Sequence, residues 1–321
     1  MPRSPRHPWR SPSAVAALLL SLLLALTACG GSGSSTAAGG SSTAAKAAQF
    51  PVTVTGTNGK VTLDAAPKSI VSMSASATEM LFAIGAGSQV KAVDSTSNYP
   101  TGVPTTKLSA FTPNAEAIAA YKPDLVVLSD DMNGIVKSLG ALKIPTLQLS
   151  AAKALDDSYT QLKTLGDATG HTDKAAEVVS EMQHRINDAV ASVPASAKGE
   201  KVYHELDQTY YSVTSSTFIG GIYAMFGLKN LADGAPKAAS GSPQLSAEYV
   251  VGQAPDLIVL ADTVCCQQTA ATVAKRPAFA PCPRSRTTGS SRSATTSPRG
   301  GGRGSPTSSR TWPRSCAAEA A

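Results

Sequence analysis

The chain has little of what catalytic and metal centres are built from. Four of its 321 residues are histidine and five are cysteine, and no HExxH, CxxC or paired-histidine spacing occurs. A zinc site therefore has no ready ligand set. No G-x-S-x-G elbow marks a nucleophile in the folded part, and Gly85-Ala86-Gly87 does not continue into a phosphate-binding fingerprint. Past Leu26 no run is apolar enough to cross a bilayer. A basic face is missing too, although the net charge is +6. The first 28 residues hold three arginines, and residues 281–321 hold seven against Glu319 alone. Between them, 29–280 carries 18 basic and 21 acidic residues, with no basic stripe interleaved with aromatics. Nucleic acid is not an expected partner.

The last 41 residues contain no Leu, Ile, Val, Met, Phe or Tyr and are rich in Arg, Ser, Thr, Pro and Gly. Residues 281–321 are expected to build no core, either as a disordered tail or as a frameshifted translation of a GC-rich gene. The genetic code supports the second reading. One permissible codon choice for Thr295 through Pro313, read in the neighbouring frame, spells Asp-Ile-Ala-Ser-Arg-Trp-Gly-Pro-Arg-Val-Ala-Asp-Leu-Val-Glu-Asp-Val-Ala. That string has the amphipathic spacing of a helix, which the written tail lacks.

The other end carries an address. Arg3, Arg6 and Arg10 precede an apolar run, Ala14 to Leu26, that is short for a membrane span. It ends in Leu26-Thr27-Ala28-Cys29, which resembles the bacterial lipobox, so 1–28 reads as a signal peptide and Cys29 as the lipidated residue. Residues 29–49, nearly all Gly, Ser, Ala and Thr, read as a flexible tether. Two acyl chains would hold the protein to the outer face of the cytoplasmic membrane. Cys265-Cys266 is an adjacent pair in an exported, oxidising setting. A vicinal disulfide, a bridge to Cys282 or Cys316, and free thiols stay open; the vicinal pair is preferred because the later cysteines fall in the anomalous tail.

The body is α/β. Ser69–Met73, Gln89–Val93, Leu125–Leu128 and Thr146–Leu149 read as strands, separated by helical stretches at Ala77–Ile84, Asn114–Tyr121 and Leu139–Leu142. The most informative feature is an internal repeat. Residues 114–130 and 246–262 are identical at eight of seventeen positions with a constant offset of 132, including Glu116/Glu248, Pro123/Pro255, Asp124/Asp256 and Asp130/Asp262. The repeat predicts two Rossmann-like lobes, 50–156 and 199–280, the second with its own helix from Phe218 to Leu228. Between them, 157–198 is read as the connection, with Asp173–Val193 a single spine helix that places Ala176, Val179, Met182, Ile186, Ala189 and Val190 near one face. A ligand cleft between the lobes, at the carboxyl ends of the strands, is the expected site. Of the histidines, His7 falls in the signal, His171 in a turn beside Gly170, and His184 on the solvent side of the spine. His204 is strand-like, either packed or facing the cleft.

Several segments together resemble one family. Ser69-Ile70-Val71-Ser72-Met73-Ser74-Ala75-Ser76-Ala77-Thr78-Glu79, Asn98-Tyr99-Pro100, Asn114-Ala115-Glu116 and Lys122-Pro123-Asp124-Leu125 are similar to the iron-siderophore and cobalamin solute-binding proteins of ABC importers. Phe218-Ile219-Gly220-Gly221, Ser246-Ala247-Glu248 and Pro255-Asp256-Leu257 extend the match to roughly 50–280. The resemblance implies a non-enzymatic monomer with two lobes on a rigid spine. Its partners would be a permease dimer with its ATPase and a small-molecule chelate. Glu116 and Glu248 fall where that family docks one glutamate per lobe onto permease arginines. The implied ligand residues are Met73, Ser74, Ser76, Tyr99, Phe111 and Asp130 from one lobe, with Asp207, Tyr210, Tyr211 and Asp262 from the other. The favoured ligand is a ferric siderophore that carries its own iron ligands, with cobalamin or another corrinoid, or haem, as the alternative. No cofactor and no direct metal ligand are expected. The family's end supplies an Arg-Trp loop and a closing helix; this sequence departs there, and the neighbouring-frame string resembles what is missing. A remote alternative is a secreted lipoprotein enzyme using Asp207 and His204 as acid and base.

Overall fold

The computed structural model describes residues 49–279 and one further strand, Arg286–Gly289. The signal peptide, Cys29, nearly all of the tether, Cys282, Cys316 and the tail from residue 290 lie outside the described residues.

The chain opens with a hairpin, β1 (Val52–Gly56) and β2 (Gly59–Leu63), antiparallel with Gly56 opposite Gly59. Asn58 at its turn donates from Nδ2 to the Thr146 carbonyl at 2.8 Å and accepts the Gln148 amide at 3.0 Å. The hairpin thereby covers the edge of the sheet that follows, whose unpaired groups would otherwise invite foreign strands.

That sheet contains β3 (Ile70–Met73), β4 (Val90–Val93), β5 (Leu125–Leu128) and β6 (Thr146–Gln148), all parallel in the order β4-β3-β5-β6. Helices α1 (Ala75–Ala83), α2 (Ala115–Ala119) and α3 (Ile135–Ala141) connect them. Parallel strands bury both faces, and β3 and β5 are buried at every position. Ile70, Leu125 and Val127 pack on one side beneath α1, and Val71, Val126 and Leu128 on the other against Ile118 and Leu139.

The connection holds α4 (Leu155–Thr169), not expected as a separate helix, and then α5 (Thr172–Ala191), which matches the spine helix expected over Asp173–Val193. The two break at Gly170, whose φ of +83° suits glycine. Tyr159, Leu162, Leu165 and Ala168 of α4 join the core under the first sheet, so α4 belongs to that lobe. The two helices lie close, since a Cβ at Gly166 would stand 2.5 Å from the Ala175 Cβ. The expected apolar face of α5 is rotated by one residue at its start: Ala175 and Val179 are buried and Ala176 is exposed. Ala189 is exposed as well, because the second half of α5 has left the first lobe.

The second lobe repeats the first. Strands β7 (Lys201–Glu205), β8 (Lys229–Asn230), β9 (Leu257–Leu260) and β10 (Arg286–Gly289) run parallel in the order β8-β7-β9-β10. Helices α6 (Phe218–Met225), α7 (Ala247–Gly252) and α8 (Ala270–Ala274) connect them. The repeat offset holds in three dimensions, since Ile70 pairs with Leu125 in one lobe and Val202 with Leu257 in the other. The written tail was expected to build no core, yet Arg286–Gly289 pairs with β9. A ladder needs only main-chain donors and acceptors, so the absence of apolar residues does not prevent it.

The repeated Pro-Asp is a fastener. Asp124 accepts the amides of Lys68 and Ser69 at 2.8 and 2.9 Å, while its own amide donates to the Ser69 carbonyl. Asp256 does the same with Lys201, accepting its amide at 2.8 Å and donating to its carbonyl at 2.9 Å. Each aspartate locks the start of one strand to its neighbour. Replacing Asp124 or Asp256 by alanine should each cost about 1–3 kcal/mol through orphaned amides; urea unfolding of the two variants checks this, and their effects should add.

His204 is 5% exposed, with Nδ1 2.7 Å from the Tyr223 hydroxyl and Nε2 without a partner. Burial lowers its pKa to about 4. Unfolded, it protonates near 6.5, so between pH 6.5 and 4 the unfolded chain binds the extra proton and stability falls as pH falls. The contribution is up to about 3 kcal/mol, and Tm measured against pH in the protein and in His204→Phe should diverge across that window.

Candidate functional site

Most of the expected ligand residues lie in the segments that follow strand carboxyl ends; Met73 is the last residue of β3 and Phe111 lies far along the loop after β4. In the first lobe Thr78 Oγ1 donates to Ser72 Oγ at 2.8 Å and to Ser97 Oγ at 3.2 Å, and Ser97 Oγ donates in turn to buried Asp94. This chain of hydroxyls fastens the loop after β4 to α1. Met73 is corrected by the structure: it is 2% exposed in the core and offers no surface to a ligand. Ser74 is the N-cap of α1, accepting the Ala77 amide at 3.3 Å. Ser76, Phe111 and Asp130 are exposed and Tyr99 half-buried, and Phe111 at 68% is the most exposed large apolar residue described.

The second lobe holds a charged cluster that sequence reading missed. Glu205, fully buried at the end of β7, accepts from both terminal nitrogens of Arg276 at 2.7 and 2.6 Å and from the Tyr203 hydroxyl at 3.2 Å. The bond to Glu205 raises the Arg276 pKa further, and burial followed by the Glu205 charge raises that of Tyr203. Arg276 lies 5.2 Å above the Tyr210 ring. Asp262 is likewise fully buried, and neither carboxyl oxygen has a hydrogen-bond partner. Burial first, and the Glu205 charge second, raise its pKa, which favours the neutral acid. Of the residues expected at the cleft, Tyr210 thus packs under Arg276 within the lobe, and Asp262 is buried with its carboxyl unpartnered. Asp207 accepts from the Thr209 amide at 2.7 Å, and Tyr211 is exposed.

The preferred vicinal disulfide is not formed: Cys265 and Cys266 are both free and exposed. Adjacent Cα atoms across a trans peptide are about 3.8 Å apart, shorter than a disulfide prefers. Hydrogen bonding with the Cys265 thiol, and burial after it, push the Cys266 pKa up to about 11. The Asp207–His204 acid–base pair is also corrected, because His204 is turned inward onto Tyr223.

Between the lobes lies a cavity of about 760 Å³, within the range of small-molecule sites. Lys153, Leu155, Asp156 and Tyr159 line it from the loop after β6 and the start of α4. Gln183, Ile186 and Asn187 come from α5, and Ser215, Ser216, Thr217, Phe218, Ile222 and Met225 from the loop after β7 and from α6. The walls alternate hydroxyls and amides with apolar side chains. None of the ten expected ligand residues lines this cavity. The motif Phe218-Ile219-Gly220-Gly221 was the available signal. Gly220 is required because a Cβ there would stand 2.0 Å from the Thr214 carbonyl oxygen, so α6 can start only by close approach to its own loop.

Glu116 and Glu248 occupy equivalent positions. Each is exposed in the first turn of a short helix, after the side-chain caps Asn114 and Ser246. Bonds from its own amide, then from the Ser246 hydroxyl, hold the Glu248 carboxyl below its usual pKa.

Known proteins are similar to this chain. The chain is 30% identical over 249 residues to a cobalamin-binding protein of Halobacterium salinarum, covering 75% of this chain and 67% of that one. It is 29% identical to the ABC transporter substrate-binding lipoprotein YvrC of Bacillus subtilis, covering 78% and 80%. A crystal structure of a possible iron-binding periplasmic solute-binding protein of Staphylococcus epidermidis superposes with a TM-score of 0.57 at 25% identity, covering 67% of this chain and 85% of that one. The family described as periplasmic binding protein matches residues 70–283, which takes in both four-stranded sheets up to the last. With two lobes of one topology, a single crossing between them and a cavity where they meet, this chain belongs to the periplasmic binding protein family.

Proposed function

We propose that the chain is the extracytoplasmic, lipid-anchored substrate-binding component of an ABC importer, and that its ligand is a large metal chelate. The observation that carries the reading is the interlobe cavity, whose walls mix hydroxyls and amides with Tyr159, Phe218, Ile186 and Ile222. Such walls suit a bulky ligand with an apolar body and a polar rim. Among the described residues no cluster of His, Cys, Asp and Glu is arranged to hold a bare ion. A metal would arrive inside its own ligand shell. Cobalamin is the preferred chelate, because the Halobacterium relative carries that name over three quarters of this chain. A ferric siderophore is the second reading, favoured by the iron-binding description of the Staphylococcus structure.

Isothermal titration with cobalamin, ferric hydroxamates, ferric catecholates and haem should give saturable binding to one class, and binding to none would overturn the reading. Phe218→Ala should weaken that binding by about 2 kcal/mol, some thirty-fold in Kd, with Tm unchanged.

The two glutamates give a separate test. Glu116 and Glu248 stand exposed at matching places on opposite lobes and suit a pair of cationic sockets on a two-fold permease. Losing one member of such a pair costs about 2–5 kcal/mol. Uptake in cells carrying Glu116→Ala with Glu248→Ala should collapse while ligand Kd holds. Unchanged uptake would remove the docking role.

A further inference from the structure

The loop after β9 presents two thiols side by side, and neither the core nor the interlobe cavity uses them. Cys265 and Cys266 are both free and exposed, beside Val264 at 66% exposure, and neither lines the cavity. The turn that carries them is fixed in place. The Asp262 carbonyl accepts the Cys266 amide at 3.1 Å, the Gln268 amide at 3.3 Å and the Cys265 thiol at 3.8 Å. Gln268 donates from Nε2 to the Cys266 carbonyl at 3.3 Å. Its Oε1 accepts from Arg276 at 3.0 Å, and Glu205 holds Arg276 in turn. The two sulfurs thus sit on a preorganised turn, hydrogen-bonded to each other.

Two properties decide what such a pair can take. The first is spacing. The peptide between the cysteines is trans, and a disulfide would need the sulfurs about 2.0 Å apart. Two bonds of about 2.3 Å to one bridging atom leave them roughly 3.5 Å apart, close to the spacing of hydrogen-bonded thiols. The second is protonation. Hydrogen bonding to Cys265 first, with burial and the Asp262 and Asp207 charges after it, keeps Cys266 a thiol at neutral pH. Disulfide exchange runs through the thiolate, so this pair is a slow partner for disulfides. Condensation with an oxide, by contrast, consumes thiols as they stand.

We infer that Cys265 and Cys266 form a dithiol site that chelates a trivalent arsenical. With an organic arsine oxide, two S–H bonds and the As=O bond break and two S–As bonds form. Both protons leave with the oxygen as water, and no electrons are exchanged. The third valence of arsenic keeps its own carbon, so the site needs no third protein ligand. That agrees with the lack of any larger His, Cys, Asp and Glu cluster among the described residues. The inference does not depend on which ligand the cavity holds.

The test uses the full chain with Cys29→Ser, Cys282→Ser and Cys316→Ser, which leaves only the pair, and phenylarsine oxide as the probe. Intact mass should show one phenylarsenic gained and two protons lost. The adduct should survive gel filtration in excess mercaptoethanol and come off with dimercaptopropanol. Adding Cys265→Ser or Cys266→Ser should weaken capture by 10²–10⁴-fold, the advantage of two linked bonds over one. Circular dichroism should be unchanged, since both side chains are exposed. Capture that a monothiol reverses, or that either single variant keeps, would overturn the site. So would a freshly isolated, unreduced chain whose 265–266 peptide is already two protons light, because the pair would then be a disulfide.

Discussion

A parallel sheet has no side it can leave to water, because its strands are apolar on both faces and its crossovers must lie over them. Most of what this chain does structurally follows from meeting that demand twice. In the first lobe α1 and α4 cover one face and α2 and α3 the other, and the hairpin β1–β2 closes the remaining edge. The strand-end loops are thereby forced to one side, where hydrogen bonds tie them down. The hydroxyl chain from Ser72 to Asp94 and the ion pair of Glu205 with Arg276 are the two lobes' different solutions to anchoring those loops. The second lobe meets the same demand on one face only.

Much of this order was legible because it is local and repeated. Asp124 and Asp256 stood out in the sequence as identical residues, and each fastens the equivalent pair of strands in its own lobe. Leu125–Leu128 read correctly as a strand because four consecutive apolar residues between turn signals have few other uses. The hairpin was missed, although Asn58-Gly59 is a strong turn signal. The turn at Gly170 was legible, but helix α4 before it was not read as a helix of its own.

The site was less legible for a physical reason. Glu205 and Arg276 are separated by 71 residues, and nothing near either one announces the other. Whether an aspartate or tyrosine after a strand meets a ligand or its own lobe depends on which way a loop folds back. Asp262 and Tyr210 turned inward, whereas Tyr211 and Phe111 turned out. The cavity walls come from three distant segments, and only the Gly220 close approach left a mark that a sequence could show.

Among the described residues the chain passes between the lobes once, through α5. A mechanical consequence follows from that single strut. An α-helix resists stretching and bends only gently, so the lobes have no slack with which to swing far apart or slide past each other. Their relative freedom is a small flexure and twist of one rod, and the cavity beside Gln183 and Asn187 is the space that such a flexure compresses. Filling that space would stiffen the rod without displacing either end.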